Sequence, residues 1–184
     1  MIRWFLASQL AAFQKKWNYD VGYARQALEA DPMAVFALFT VSGLMGGRRG
    51  APAAVTHAVK LVGVITEDCG PCSQLAVDMA LADGVDPAVL HAVATRDFVA
   101  MPEEVALAVR FAEASLAHSP AADEPREEIV RRWGQRGLVS LAMALAAARV
   151  YPTVKYALGH GRACVRLNVA GQSVARHVKL EVAA

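Results

Sequence analysis

The chain has 184 residues, 55% of them hydrophobic, and its 19 Lys and Arg against 17 Asp and Glu leave a net charge of +2. That length suits one well-buried core rather than two, and a charge so near balance gives neither nucleic acid nor an anionic membrane an electrostatic reason to bind. Three cysteines, with an N-terminal apolar run interrupted at Ser8 and Gln9 that does not read as a secretory leader, point to a reducing compartment, the cytoplasm.

The chain reads as a single domain, 1–184, with N-terminal helices over 1–50, a helical core over 51–158 and an extension over 159–184. Trp4, Phe5, Phe13 and Trp17 load a first helix over 2–16, which residues 18–20 break, and a short helix follows over 21–30. Asp31 and Pro32 then supply a cap and a first-turn proline for a third helix over 33–44. Glycines around Arg48 and Arg49 predict a solvated loop. Helices over 53–65 and 74–82 flank a cysteine pair, and Gly84 closes the second of them. Asp86 and Pro87 start a helix to Thr95, and Glu103 and Glu104 start another that buries Val105, Ala108, Val109, Ala112 and Leu116. A loop over 118–123 leads to a charged surface helix over 124–135. Gly137 separates that helix from an Ala-rich one over 138–158, which should be central and kinked at Pro152.

Two runs, 33–45 and 138–148, are strongly apolar yet fall short of the roughly 20 residues a bilayer span needs, so both read as helices buried on most sides. One small domain cannot surround two such helices, which predicts a homo-oligomer and no membrane span. From Ala163 the period drops to two, with Val165, Leu167 and Val169 and then Val174, Val178, Leu180 and Val182, predicting a C-terminal β-hairpin that packs on the helical body or on another subunit.

The chemistry concentrates at Cys69-Gly70-Pro71-Cys72, where one helix stops and the next begins. Thr66 or Asp68 can cap the first-turn amides, and Pro71 suits a first turn. Two cysteines three apart there face one side at a separation a disulfide can bridge, and a thiolate gains from the unpaired amides and the positive end of the helix dipole. Half a zinc site has the same spacing, but a second CxxC or an HxxxH is missing, His160 and Cys164 being the only other close pair. A redox pair is the better reading, with no metal and no cofactor.

The order of features resembles the carboxymuconolactone decarboxylase and alkylhydroperoxidase-D-like superfamily. A helix ends in CxxC, a helix is closed by glycine, a Pro-Glu-Glu helix covers 103–115, and a long helical stretch covers 126–159, so the likeness spans about 51–158. The resemblance implies an all-α fold assembled as trimers or hexamers. For the CxxC-bearing branch it implies a thiol-dependent peroxidase or disulfide reductase with Cys69 and Cys72 as the pair. Its partners are then a peroxide or disulfide substrate and a dithiol reductant protein, with no nucleic acid.

The family's proton relay is not carried over. The glutamate it places twelve positions before the first cysteine is His57 here, the histidine it places four after the second is Ala76, and the histidine some members hold between the cysteines is Pro71. Of the residues within reach, His57 ranks first as a replacement base and Glu67 second, while Asp68 reads as a cap. His91, His118, His160 and His177 read as packing or solvated residues and Cys164 as a buried structural thiol. One thiolate would attack peroxide to give a sulfenic acid and the other would condense with it, the order of attack being open: the Gly-Pro filling is that of thioredoxin, where the first attacks, and the family favours the second. A non-catalytic oligomeric relative and a decarboxylase-type lyase stand as alternatives, the absent histidine at 76 counting against the lyase.

Overall fold

A computed structural model describes residues 2–47, 50–163 and 166–175 of the chain. Arg48, Arg49, Cys164, Val165, His177, Val178, Leu180 and Val182, which entered the reading of the sequence, lie outside the described residues. The described residues form eight α-helices and a small sheet: α1 (Ile2–Trp17), α2 (Gly22–Ala30), α3 (Pro32–Gly46), α4 (Ala53–Thr66), α5 (Gly70–Ala82), α6 (Pro87–Thr95), α7 (Glu103–Leu116), α8 (Asp123–Ala157), β1 (Arg166–Val169) and β2 (Gln172–Ala175). The fold is all-α with a C-terminal hairpin.

Local chemistry sets the helix ends. Asp31 accepts from the Met33 and Ala34 amides at 2.9 and 3.2 Å ahead of α3, and Asp86 accepts from Ala88 at 2.8 Å ahead of α6. The break in the last long helix falls at Gly134, not at Gly137. Gly134 holds φ 67° and ψ −179°, a conformation open essentially to glycine alone. Gly137 stays within the helix, and the packing there leaves no room for a side chain: a Cβ would lie 2.4 Å from that of Trp133 and 3.1 Å from the Gly50 carbonyl oxygen. Pro152 stays within helical φ/ψ.

Two apolar clusters make up the interior. The larger joins α4 to α8 with the hairpin, including Val55, Val59, Leu61, Val77, Leu90, Val105, Ile129 and Leu141. The smaller joins α1 to α3 through Leu6, Leu10, Tyr19, Val21, Tyr23 and Val35, and meets the rest through Leu75 of α5 and Tyr151 and Val154 of α8. The central element is α4, not α8. Its stretch from Val55 to Val59 is buried without interruption, and Gly63 lets α8 approach so closely that a Cβ would lie 3.2 Å from both Ala148 and Leu145. Each fully buried Val or Leu of this kind contributes about 1.5–3 kcal/mol.

The apolar helices are less covered than their composition predicts. In α3 only Val35 and Ser42 are buried, while Met33, Phe36, Val41 and Leu44 are exposed, because α1, α2 and α8 cover one side alone. On α8, Val139 and Met143 are exposed as well. Extended by the short turn before it, α8 is long and apolar enough to cross a membrane by length and composition, but its inner face packs against α3, α4 and α7, as a core helix does.

The hairpin pairs Leu167 with Val174 and Val169 with Gln172. Its turn residues Ala170 and Gly171 both have positive φ, 49° and 86°, as the tightest hairpin turns require. Leu167, Val169 and Val174 are buried in the larger cluster, so the hairpin rests on the helical body. Gln74 of α5 fastens it: the side-chain amide donates to the Asn168 carbonyl at 2.9 Å and accepts from the Asn168 amide at 2.8 Å.

Candidate functional site

Cys69 is the N-cap residue of α5 and Cys72 lies one turn in; the two are disulfide-bonded with Cα atoms 5.2 Å apart. The chain reaches this position through a tight turn in which Asp68 takes φ 53° and its carbonyl accepts from the Tyr156 hydroxyl at 2.8 Å. Thr66 does not cap α5, since its hydroxyl donates to the Val62 carbonyl one turn back. The first amide of α5, that of Gly70, is satisfied by the Arg162 carbonyl at 3.0 Å. The helix start is thus held by backbone beyond α8 rather than by a side-chain cap.

The two sulfurs have different surroundings. Cys69 is 0% exposed and belongs to the larger apolar cluster. Cys72 forms part of the wall of a cavity of about 670 Å³ between the two clusters. Its other walls include Leu10, Phe13 and Trp17 of α1, Phe39 of α3, and Leu75, Ala76 and Met79 of α5. Ala76, the position where the family pattern would place histidine, faces this space as alanine. The N-terminal helices therefore close over the cysteine-bearing core and make half of the site.

Tyr19, on the link between α1 and α2, brings its hydroxyl to 3.6 Å from Cys72 Sγ. A disulfide sulfur carries no proton, so the phenol is the donor. Behind it, Lys155 of α8 donates from Nζ to the Tyr19 oxygen at 3.3 Å, and the same ammonium lies 4.5 Å from the Tyr19 ring centre and 5.4 Å from that of Tyr23. Burial pushes the Tyr19 phenol up to about 12, with a hydrogen bond from Tyr23 opposing and the Asp20 carboxylate adding to the rise. Burial also raises Tyr23 and Tyr151 and lowers Lys155, a residue only 1% exposed. Ser42 and Tyr151 share a hydrogen bond on the same wall.

His57 and Lys60 of α4 line the cavity as well. The His57 Nε2 lies 2.8 Å from Oδ2 of Asp83, the residue that ends α5. Burial drives the imidazole below its ordinary value, with the Asp83 hydrogen bond opposing and Lys60 adding to the fall. Lys60 is lowered by its own burial. The ring is thus mainly neutral at pH 7, with Nε2–H donating to Asp83 and Nδ1 left as its basic nitrogen.

Of the residues singled out in the sequence, Cys72 and His57 meet in one cavity and Cys69 stands behind Cys72. Glu67 instead forms an ion pair with Arg149 that ties the end of α4 to α8. Tyr19 and Lys155 were missed. The signals for them were faint: a single lysine in the apolar last turns of α8, and two tyrosines four positions apart at Tyr19 and Tyr23. Among the described residues no group of three or more His, Cys, Asp or Glu could hold a metal ion.

Against known proteins, no family model matches the chain, and no curated protein or solved structure does either. The chemistry of the site rests on its geometry.

Proposed function

We propose that the protein is a thiol-dependent oxidoreductase, a peroxidase or disulfide reductase of the alkylhydroperoxidase-D-like kind, in which Cys69 and Cys72 cycle between dithiol and disulfide. The observation that carries this reading is the placement of Cys72, bonded to Cys69 at a helix N-terminus, on the wall of a 670 Å³ cavity with a phenol hydrogen-bonded to its sulfur. A helix N-terminus favours the thiolate, and a largely apolar cavity gives a substrate a surface to rest on beside it.

Cys72 is the attacking sulfur in this reading, because it faces the cavity while Cys69 is sealed in the core. The thiolate attacks a peroxide oxygen, giving a sulfenic acid, and Cys69 displaces water from it to form the disulfide. A dithiol partner returns the pair to the reduced state. His57, which lines the same cavity with its Nε2 on Asp83, is the base in this reading, taking up a proton through Nδ1. The apolar stripe of Met33, Phe36, Val41 and Leu44 on α3 supports self-association, since a second copy would remove it from water, and the family resemblance would make that assembly a trimer or hexamer.

Trapping of sulfenic acid with a carbon nucleophile tests the order of attack. Cys69→Ser treated with one equivalent of peroxide should accumulate the trapped adduct at Cys72, and Cys72→Ser should give none at Cys69. An adduct confined to Cys69 would reverse the assignment, and no adduct in either variant would count against a peroxidase.

A further inference from the structure

The geometry points to a proton path for Cys72 that runs through the Tyr19 hydroxyl to Lys155. This inference rests on the thiol oxidoreductase reading and names the groups that move the proton the reaction needs.

Among the described residues Lys155 is the largest fully buried side chain and forms no salt bridge; its Nζ meets the Tyr19 oxygen at 3.3 Å and the faces of Tyr19 and Tyr23. An amine so buried keeps its proton only where an anion or well-aimed oxygens compensate it. The charged and titratable groups around it are few. Burial lowers Lys155 from its ordinary value, Asp20 beside Tyr19 opposes that fall and Arg162 beyond α8 adds to it. Tyr151, one turn back on α8, has its hydroxyl on Ser42. On the sulfur side the cavity presents Lys16, His57 and Lys60. The Tyr19 hydroxyl alone among these groups has a hydrogen bond to the Cys72 sulfur and one from the buried lysine.

In the reduced protein the path works by exchange. From the deprotonated form of Lys155, which burial makes easier to reach, the Cys72 thiol passes its proton to the Tyr19 oxygen as the Tyr19 hydroxyl proton moves to the Lys155 amine. The products are a thiolate, an unchanged phenol and an ammonium, and each of the two hydrogen bonds then points from cation toward anion. When the thiolate electron pair attacks a peroxide oxygen, the S–O bond forms as the O–O bond breaks. Sulfur loses two electrons, the peroxide gains them, and the alkoxide takes back the proton from Lys155 through Tyr19. With a disulfide substrate the leaving thiolate takes the same proton. Tyr19 touches the reacting sulfur and is the catalytic residue here, whereas Lys155 acts through it and is a positioning residue.

The test titrates the Cys72 thiol without any oxidant. In reduced full-length Cys69→Ser protein, the alkylation rate of the peptide carrying Cys72 is followed by mass spectrometry from about pH 5 to about pH 10, which keeps Cys164 apart on its own peptide. Added Tyr19→Phe, which removes only the hydroxyl, should raise the midpoint by about one pH unit or more, and added Lys155→Met should do the same. An unchanged midpoint with Tyr19→Phe overturns the path, whether or not Lys155→Met folds. An unchanged midpoint in Lys155→Met that keeps its helical circular dichroism removes the lysine from it. Failure of the wild-type chain to form its disulfide with peroxide or a small disulfide would instead strike the oxidoreductase reading, and the thiol titration does not depend on that outcome.

Discussion

The Tyr19 hydroxyl stands 3.6 Å from the Cys72 sulfur although 53 positions separate the two residues in sequence. The contact joins the N-terminal helices to the cysteine-bearing core at the cysteine of the pair that lines the cavity. It makes the two cysteines unequal. In the reduced protein a maleimide should modify Cys72 before Cys69, by about tenfold or more in rate, since Cys69 has no exposed surface. Peptide mapping of the first product decides it, and equal labelling would mean that the pair opens as a unit.

His57 makes stability depend on pH in a defined direction. In the unfolded chain its imidazole titrates near 6.5, and in the folded chain burial holds it lower, the Asp83 hydrogen bond notwithstanding. Between the two values the unfolded state binds more protons, so this residue's contribution is fully present above about pH 6.5 and is lost as pH falls through the folded value. Denaturant midpoints measured across that window should fall less steeply for His57→Gln than for the wild type. Parallel slopes would place the pH dependence elsewhere.

Glu67 separates position in sequence from position in space. It is two residues from Cys69, yet its carboxylate pairs with Arg149 on α8. The pair is partly exposed, so Glu67→Gln should cost no more than about 1 kcal/mol of stability and leave the rate of disulfide formation within about twofold of the wild type. A loss of about a hundredfold in that rate would restore Glu67 as a base.

Gln74 is a sharper structural test. Its side-chain amide closes two hydrogen bonds with the backbone of Asn168. Gln74→Ala should lower stability by about 1–3 kcal/mol and speed amide hydrogen exchange across β1 before it does so in α4. Uniform exchange throughout the chain would mean that hairpin and helices unfold together.

Much of the fold was legible in the sequence because its determinants are local. Asp31-Pro32 and Asp86-Pro87 start helices, Gly84 ends one, and alternating Leu167 and Val169 mark a strand. The break at Gly134 was not legible. Gly134 and Gly137 look alike in sequence, and nothing local marks that a Cβ would meet Trp133 and Gly50 at 137 and open space at 134, where the positive φ falls. The identity of the central helix was hidden for the same reason, since burial of α4 depends on which helices surround it. At the site, the cysteine pair could be read from spacing, whereas Tyr19 and Lys155 meet it only through tertiary packing.

The most direct measurement is the redox state of the Cys69 and Cys72 peptide after fully reduced protein is mixed with one equivalent of peroxide, followed in time by mass spectrometry. The account predicts an intramolecular disulfide that forms much faster than free cysteine oxidises, and that a small dithiol reverses. Thiols that stay reduced, or that oxidise no faster than free cysteine, would contradict it.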